Sequence, residues 1–183
     1  MKRVILALAA ASLVLQAHAE TPRQFAQRFY RSTFRWQIRG VPTPAERNRI
    51  SPFFSAEILH LYAVADRQRS EFMRRFPFVP KNPMFALKPP WCKEGDPFSS
   101  TWEGINTFAI GRVSRIASRV AVPAHLEYVT GNLVSPWTDT LVLDRAGDQW
   151  VIADIRFRDG GSLVRDMRKG IAETEQELRG TRK

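Results

Sequence analysis

Residues 141–155 read LVLDRAGDQWVIADI, two apolar runs separated by charged residues and one glycine. Apolar and β-branched residues on both sides of a short polar turn are typical of a β-hairpin. We therefore predict strands over 138–144 and 149–158, joined by a tight turn. A three-residue type I turn at 145–147, with Gly147 in the left-handed position, fits these residues best.

The type of turn decides which residue faces Asp154 across the hairpin. A two-residue turn at 146–147 would set Asp139 opposite Asp154, and two adjacent carboxylates cannot both ionise easily. The three-residue turn sets Thr138 there instead. On that register the hairpin holds no carboxylate pair.

Two further runs upstream of the hairpin, 107–113 and 119–129, are rich in Val, Ile, Thr and aromatic residues and are bounded by Gly, Ser or Asn. Four strands in succession predict an antiparallel meander. Pro123 has no N–H to donate to a neighbouring strand, so it indicates an edge or a bulge in the second strand.

The N-terminal part of the chain has helical patterns. Thr-Pro-Arg-Gln at 21–24 and Thr-Pro-Ala-Glu at 43–46 are capping boxes that satisfy the first backbone amides of two helices. The first helix is expected to end at Gly40, and Ser55 is expected to cap a third helix that runs to about Phe76. The buried faces are expected to contain Phe25, Phe29, Phe34 and Ile38 in the first helix, and Ile58, Tyr62, Ala65, Phe72 and Phe76 in the third.

The segment 77–97 carries six prolines and no sustained hydrophobic period, which predicts a long loop between helices and strands. A last helix is expected after its cap, Ser162, with a charged end that frays from Glu173. The chain is therefore predicted to be α+β, with N-terminal helices on a four-stranded antiparallel sheet and a C-terminal helix.

Several motifs that together span most of the chain carry a family resemblance. They are the early Phe-Tyr-Arg helix, Phe53-Phe54-Ser55, Asp96-Pro97-Phe98-Ser99, the Trp-x-Ile-x-Asp-Ile strand that begins at Trp150, and Gly161-Ser162-Leu163. On these motifs the chain resembles the nuclear transport factor 2-like, or cystatin-like, superfamily, and more closely an exported bacterial family of domains of unknown function, family 3828. The resemblance implies a cone in which helices cover a curved sheet and leave a pocket. Members use such a pocket for isomerisation, dehydration or binding, so the fold does not choose an activity.

The first residues match an export signal. Lys2 and Arg3 precede an apolar run at 4–15, and Ala17-His18-Ala19 has the small residues that a signal peptidase accepts. The run is too short to cross a membrane as a helix. We expect residues 1–19 to be a cleavable signal peptide and 20–183 to be a single periplasmic or secreted domain without a transmembrane segment.

The chain has a formal net charge of +10, which falls by two when Lys2 and Arg3 are removed. Basic charge attracts anionic partners over long range, and outside the cytoplasm these are lipid headgroups, envelope polymers or acidic proteins. We therefore expect contact with an anionic envelope surface and no nucleic-acid partner. The arginines are scattered through the sequence, which is also typical of solvated protein faces.

Cys92 is the only cysteine, so no disulfide forms within the chain and stability must come from packing. A buried thiol is the ordinary interpretation of such a residue, and an intermolecular bridge or a reactive thiol is the alternative. His60 and His125 belong to no spaced ligand set. We expect no metal site and no cofactor.

Asp154 is the residue with the most chemical interest, because it interrupts an apolar strand. Alternation would place Asp154 on one face with Ile152 and Arg156, and a neighbouring arginine keeps a carboxylate ionised. This favours a structural ion pair over a general base.

The segment 91–102 combines aromatic side chains with a polar rim, a composition typical of interfaces. The alternative is that its rings fold back onto the sheet. The predicted binding residues are Trp91, Phe98, Trp102, Tyr128, Trp150, Asp154 and Arg156. We predict a non-catalytic binding module for an envelope protein or a small apolar or anionic ligand. The alternative is a small pocket enzyme, of isomerase or dehydratase type, with Asp154 as base and Tyr128 or Trp150 shaping its site.

Overall fold

A computed structural model describes residues 20–76 and 95–180 of the chain. The elements, in chain order, are helices α1 (Pro22–Trp36), α2 (Pro44–Ile50), a short 3-10 helix (Ser51–Phe53) and α3 (Ala56–Arg75), strands β1 (Thr107–Ile110), β2 (Ser114–Ile116), β3 (Arg119–Thr130), β4 (Leu133–Ala146) and β5 (Gln149–Arg156), and helix α4 (Leu163–Gly180). The predicted α+β class is confirmed, with helices packed on one curved antiparallel sheet. The predicted signal peptide, Trp91, Cys92 and most of the proline-rich segment lie outside the described residues.

Both predicted capping boxes are formed. The Thr21 hydroxyl accepts from the Gln24 N–H at 3.2 Å while the Gln24 side chain accepts from the Thr21 N–H at 2.9 Å, and Thr43 and Glu46 repeat the arrangement in α2. Each box satisfies amides that have no partner within the helix.

Two helix ends differ from the expectation. Helix α1 ends at Trp36, before the predicted Gly40, because Gln37 adopts a left-handed conformation with φ of 49°. Helix α4 continues to Gly180 rather than fraying at Glu173, and Thr174 in that stretch is buried. Pairing of Glu175 with Arg179 adds local support to this end of the helix.

The sheet has five strands rather than the four predicted. Strand β3 pairs with β4 along its length, and its other side pairs with both β1 and β2. The predicted first strand, 107–113, is thus broken after Ile110. Pro123 lies opposite this break, where the Gly111 N–H donates to the Pro123 carbonyl at 2.8 Å. The expected irregularity at Pro123 is therefore an interruption between two short partner strands.

The turn between β4 and β5 is neither the three-residue turn at 145–147 nor the two-residue turn at 146–147. Ala146 pairs with Gln149, which leaves Gly147 and Asp148 as the two loop residues, and Gly147 has φ of +60°. Asp154 consequently faces Val142 across the hairpin. The predicted partner of Asp154, Thr138, was therefore wrong, and so was the alternative, Asp139. No carboxylate pair forms in this hairpin.

A bulge in β5 also changes which side chains reach the core. Val142 pairs with Asp154 and Leu143 pairs with Ile152, so Ala153 has no partner in the ladder. Because of this extra residue, Ile152 and Ile155 both lie in the core, whereas simple alternation put them on opposite faces. The predicted sharing of one face by Ile152 and Asp154 was therefore wrong.

The hydrophobic core lies between one face of the sheet and the helices. Phe29 on α1 is its centre, surrounded by rings from α1 itself, from residues 53–54 and from the segment 95–106. Its aromatic neighbours, at centroid distances of 5.1–6.1 Å, are Tyr30, Trp36, Phe53, Phe54 and Phe98. Such tilted and edge-on ring contacts stabilise beyond the burial of area alone.

Among the described residues, none of the helices is both long and apolar enough to cross a membrane.

Candidate functional site

A cleft of about 570 Å³ opens on the described surface between the end of α1, the segment 95–106 and strand β3. This volume falls within the range of small-molecule sites. Its apolar lining comes from Phe34, Ile38, Phe98, Ile105 and Tyr128, and its polar lining from Thr33, Gln37, Arg39, Asp96, Glu103 and Asn106, with Gly104. The cleft thus combines an apolar body with a polar rim.

Phe98 forms the floor of the cleft and is only 2 % exposed. Its ring stacks on Phe54 at 5.4 Å and meets Phe29 and Trp36 edge-on at 5.8 and 6.1 Å. Phe98, predicted as part of an exposed recognition loop, is therefore a core residue that also lines the cleft, and its ring is folded inward against the rings of Phe29, Trp36 and Phe54.

Hydrogen bonds to the backbone hold the segment 95–104 in place at the rim of the cleft. The Asp96 N–H donates to the Trp102 carbonyl, and the Gly40 N–H donates to the Gly95 carbonyl at 3.0 Å. The Arg39 guanidinium also donates to the Trp102 carbonyl at 3.0 Å. The backbone of Trp102 is thereby fixed at the rim, while its side chain is 62 % exposed.

Asp139 on β4 attaches this segment to the sheet. Its carboxylate is fully buried and accepts from the Ser100 N–H at 2.8 Å, from the Ser100 hydroxyl, from the Trp137 indole N–H at 3.0 Å and from the Arg158 N–H at 3.1 Å. Four donors around one carboxylate compensate for its loss of hydration. Sequence reasoning weighed Asp139 only as a partner of Asp154 and missed this role.

Tyr128 stands on the β3 wall of the cleft and is half-buried. Beside it, the Asn106 side chain donates to the Val129 carbonyl at 2.7 Å and accepts from the Val129 N–H at 2.9 Å. This amide extends the pairing of β1 with β3 by one residue. Of the predicted binding residues, Phe98 and Tyr128 therefore line one cleft, and the Trp102 backbone lies at its rim.

The other predicted binding residues lie away from the cleft. The Trp150 indole donates to the Glu20 carbonyl at 2.8 Å, and the Arg145 guanidinium lies 3.7 Å from the centroid of its ring. Trp150 thus holds the start of the described chain against the sheet. Trp91 is outside the described residues.

Asp154 supports the start of helix α4. One of its carboxylate oxygens accepts from the Val164 N–H at 3.0 Å and from the Ile155 N–H at 2.9 Å. A carboxylate is favourable at a helix N-terminus, where amides lack partners. The predicted ion pair with Arg156 is not among the ion pairs of the described residues, and Arg156 is exposed. Of the residues named for the pocket enzyme, Tyr128 lines the cleft, whereas Asp154 and Trp150 do not.

Two tyrosine hydroxyls lie in the core. Burial raises the pKa of Tyr30 well above its usual value, and the negative charges of Asp139 and Asp96 raise it further. Burial likewise raises the pKa of Tyr62, with a contribution from Asp96. Within the described part of the chain, the Tyr30 hydroxyl makes no hydrogen bond. Neither phenol is poised to transfer a proton near neutral pH.

His125 accepts or donates at 3.0 Å to the Thr138 hydroxyl on the outer face of the sheet, and His60 is exposed on α3. Within residues 20–76 and 95–180, no group of three His, Cys, Asp or Glu side chains is arranged to hold a metal ion.

We expect Gly95→Ala to loosen the rim of the cleft. A Cβ at this position would lie 2.3 Å from the Trp102 carbonyl oxygen and 2.6 Å from the Trp102 Cα, so the backbone must shift. Overpacking of this kind costs about 1–3 kcal/mol of the free energy of unfolding, measured with a denaturant. Gly180→Ala is the matched control, since a Cβ there has no neighbour within 4 Å among the described residues. Equal stability of the two variants would contradict the tight closure.

Fold and geometry together define an α+β protein with an open, apolar-floored cleft beside its sheet. Comparison of the chain with known protein families, with curated proteins and with solved structures finds no match. The resemblance to the nuclear transport factor 2-like superfamily therefore stays a prediction.

Proposed function

We propose that this protein is a non-catalytic binding module that takes a small ligand with an apolar body in the cleft lined by Phe34, Phe98 and Tyr128. The setting we propose is the bacterial envelope, on the basis of the export pattern in residues 1–19. The observation that carries the proposal is the cleft itself, which has a mixed apolar and polar lining and a volume of about 570 Å³.

The bonding of the polar groups supports binding rather than catalysis. The Arg39 guanidinium donates to the carbonyls of Trp102 and Glu103, and an Asp96 carboxylate oxygen accepts from the Phe98 N–H at 2.8 Å. Groups held by backbone partners shape a rim and give direction to a ligand. The apolar lining then supplies most of the affinity, in proportion to the area removed from water.

The pocket enzyme has less support. Its base, Asp154, accepts two backbone N–H bonds at the start of α4 and does not line this cleft. The carboxylates that do line the cleft are those of Asp96 and Glu103, neither of which was predicted as the base of the pocket enzyme. The ligand-binding proposal requires only the lining described here.

Binding of the fluorophore N-phenylnaphthylamine tests the proposal. Because this molecule is neutral, the basic surface of the protein does not attract it electrostatically. We expect it to bind the full chain with enhanced emission, and Tyr128→Ala to weaken binding about tenfold, because one large apolar contact is lost. Ile105→Ala should weaken it in the same direction. Leu133→Ala is the matched control, since Leu133 is 71 % exposed on the same β3–β4 hairpin and does not line the cleft.

Binding that is unchanged in Tyr128→Ala and Ile105→Ala would place the fluorophore elsewhere and overturn the proposal. So would a complete absence of binding by the folded wild-type chain. A circular dichroism melt of each variant separates loss of the cleft from loss of the fold.

A further inference from the structure

Positive charge is distributed unevenly over the helices. Helix α4 has four basic and four acidic residues, and α3 has four arginines and three acidic residues. Helix α1 has four arginines and no acidic residue. Of these three helices, α1 therefore carries by far the largest excess of positive charge.

The arginines of α1 are directed to solvent by the packing of the opposite face. Arg31 and Arg35 lie on the exposed side, one turn apart, and Arg28 precedes Arg31 by three residues. Arg28 is neutralised by Glu20 at 2.8 Å. Within the described ranges, Arg31 and Arg35 have neither an ion pair nor a hydrogen bond, unlike Arg165 and Arg168 on α4, which pair with Asp166 and Glu57.

A second basic segment adjoins α1. No acidic residue occurs between Gly104 and Leu126, a stretch that contains Arg112, Arg115 and Arg119. The Arg23 guanidinium of α1 donates to the Gly111 carbonyl at 3.3 Å, which places this segment against the start of the helix. Arg119 pairs with Asp144 at 3.1 Å. Arg112 and Arg115 have no ion pair in the described part of the structure.

We propose that this arginine face, formed by Arg23, Arg31, Arg35, Arg112 and Arg115, docks on the surface of an anionic phospholipid bilayer. The face follows the outer side of α1, and Arg23 to Arg35 alone span about 18 Å along the helix axis. None of the five arginines lines the cleft, so these charges lie on the surface outside it. An array of charges outside the cleft suits a broad negative surface, whereas a single polymer strand is usually bound in a groove with stacked aromatic rings.

The half-exposed ring of Phe34 borders this face and is 37 % exposed. Aromatic rings next to cationic side chains are favourable at the level of lipid headgroups. Arginine pairs readily with phosphate, and each cation near an anionic leaflet contributes about fivefold to the binding constant. Phe34 also lines the cleft but the five arginines do not, so the proposal does not depend on a ligand in the cleft.

The test compares binding of the full chain to vesicles of phosphatidylcholine and to vesicles in which part of this lipid is replaced by phosphatidylglycerol. We expect the wild type to prefer the anionic vesicles and to lose that preference at high salt. The double substitution Arg31→Gln and Arg35→Gln should weaken binding to the anionic vesicles roughly 25-fold. The control Arg165→Gln with Arg168→Gln removes the same net charge and should weaken it far less.

Equal losses in the two double variants would mean that only net charge matters and would overturn the assignment of the face. Equal binding of the wild type to neutral and anionic vesicles would overturn it as well. If a single-stranded oligonucleotide binds the wild type through the same two arginines while the vesicles do not, the partner is a polyanion and the proposal fails. Binding of the neutral fluorophore should be unchanged in both double variants, so failure here is distinguishable from failure of the cleft proposal.

Discussion

Asp139→Ala is expected to destabilise the protein by about 3–5 kcal/mol, one of the largest losses that a single substitution outside the aromatic core should cause. The substitution removes the acceptor of four hydrogen bonds at once. The indole N–H of Trp137 is buried with it and would lose its acceptor. The free energy of unfolding in urea measures the loss.

Asp144→Ala is the matched control on the same strand. Asp144 is partly exposed and pairs with the partly exposed Arg119, so its loss should cost less than about 1 kcal/mol. Because Ser100 connects Asp139 to the segment 95–104, Asp139→Ala should also raise the proteolytic sensitivity of that segment in the native state. A difference between the two variants of less than about 1 kcal/mol would contradict the anchoring role.

The parts of the fold that sequence reasoning predicted are governed by local chemistry. The boxes at Thr21 and Thr43 and the cap at Ser55 involve residues three positions apart, so short-range spacing suffices to identify them. The strand content follows from β-branched and aromatic runs in the same way. The break between β1 and β2 depends on a contact with another strand. The sequence signal we used for it was Pro123, which lies in the opposing strand β3.

The register of the last hairpin could not be predicted from such spacing. The turn is shifted by one position, and the Ala153 bulge adds a residue to one strand only. A bulge of this kind is selected by packing on both faces of the sheet, since it brings Ile152 and Ile155 into one core. That selection depends on contacts with the helices and not on the sequence of the hairpin alone.

The candidate site was predicted in part. Tyr128 and Phe98 were identified as binding residues because they are aromatic, and both line the cleft. The contribution of Arg39 to the rim of the cleft was missed. It depends on hydrogen bonds from its guanidinium to the carbonyls of Trp102 and Glu103, which lie more than sixty positions away in the sequence. The sequence signal for Asp139 was a charged residue within a predicted strand. Asp154 gives the same signal, and it was Asp154 that was predicted as a candidate site residue.

Alkaline pH is expected to destabilise the fold steeply through Tyr30 and Tyr62. Burial raises the pKa of both hydroxyls in the folded chain, whereas in the unfolded chain a tyrosine ionises near pH 10. Above about pH 10 the unfolded state therefore releases protons that the folded state retains. The stabilisation is fully present below that pH and is lost as pH rises, by about 1.4 kcal/mol per pH unit for each tyrosine.

The variants Tyr30→Phe and Tyr62→Phe should each remove about half of this alkaline slope, measured as the free energy of unfolding between about pH 8 and about pH 12. Near neutral pH, Tyr30→Phe should cost little, because within the described residues its hydroxyl makes no hydrogen bond that the substitution would break. Phe29→Leu is the control, since it weakens the core without a titratable group and should shift the whole curve at unchanged slope. If the slope persists in the double phenylalanine variant, the buried phenols are not its source. In the folded wild type, ultraviolet absorbance of tyrosinate from Tyr30 or Tyr62 would also contradict the prediction, because it would show that these phenols ionise without unfolding.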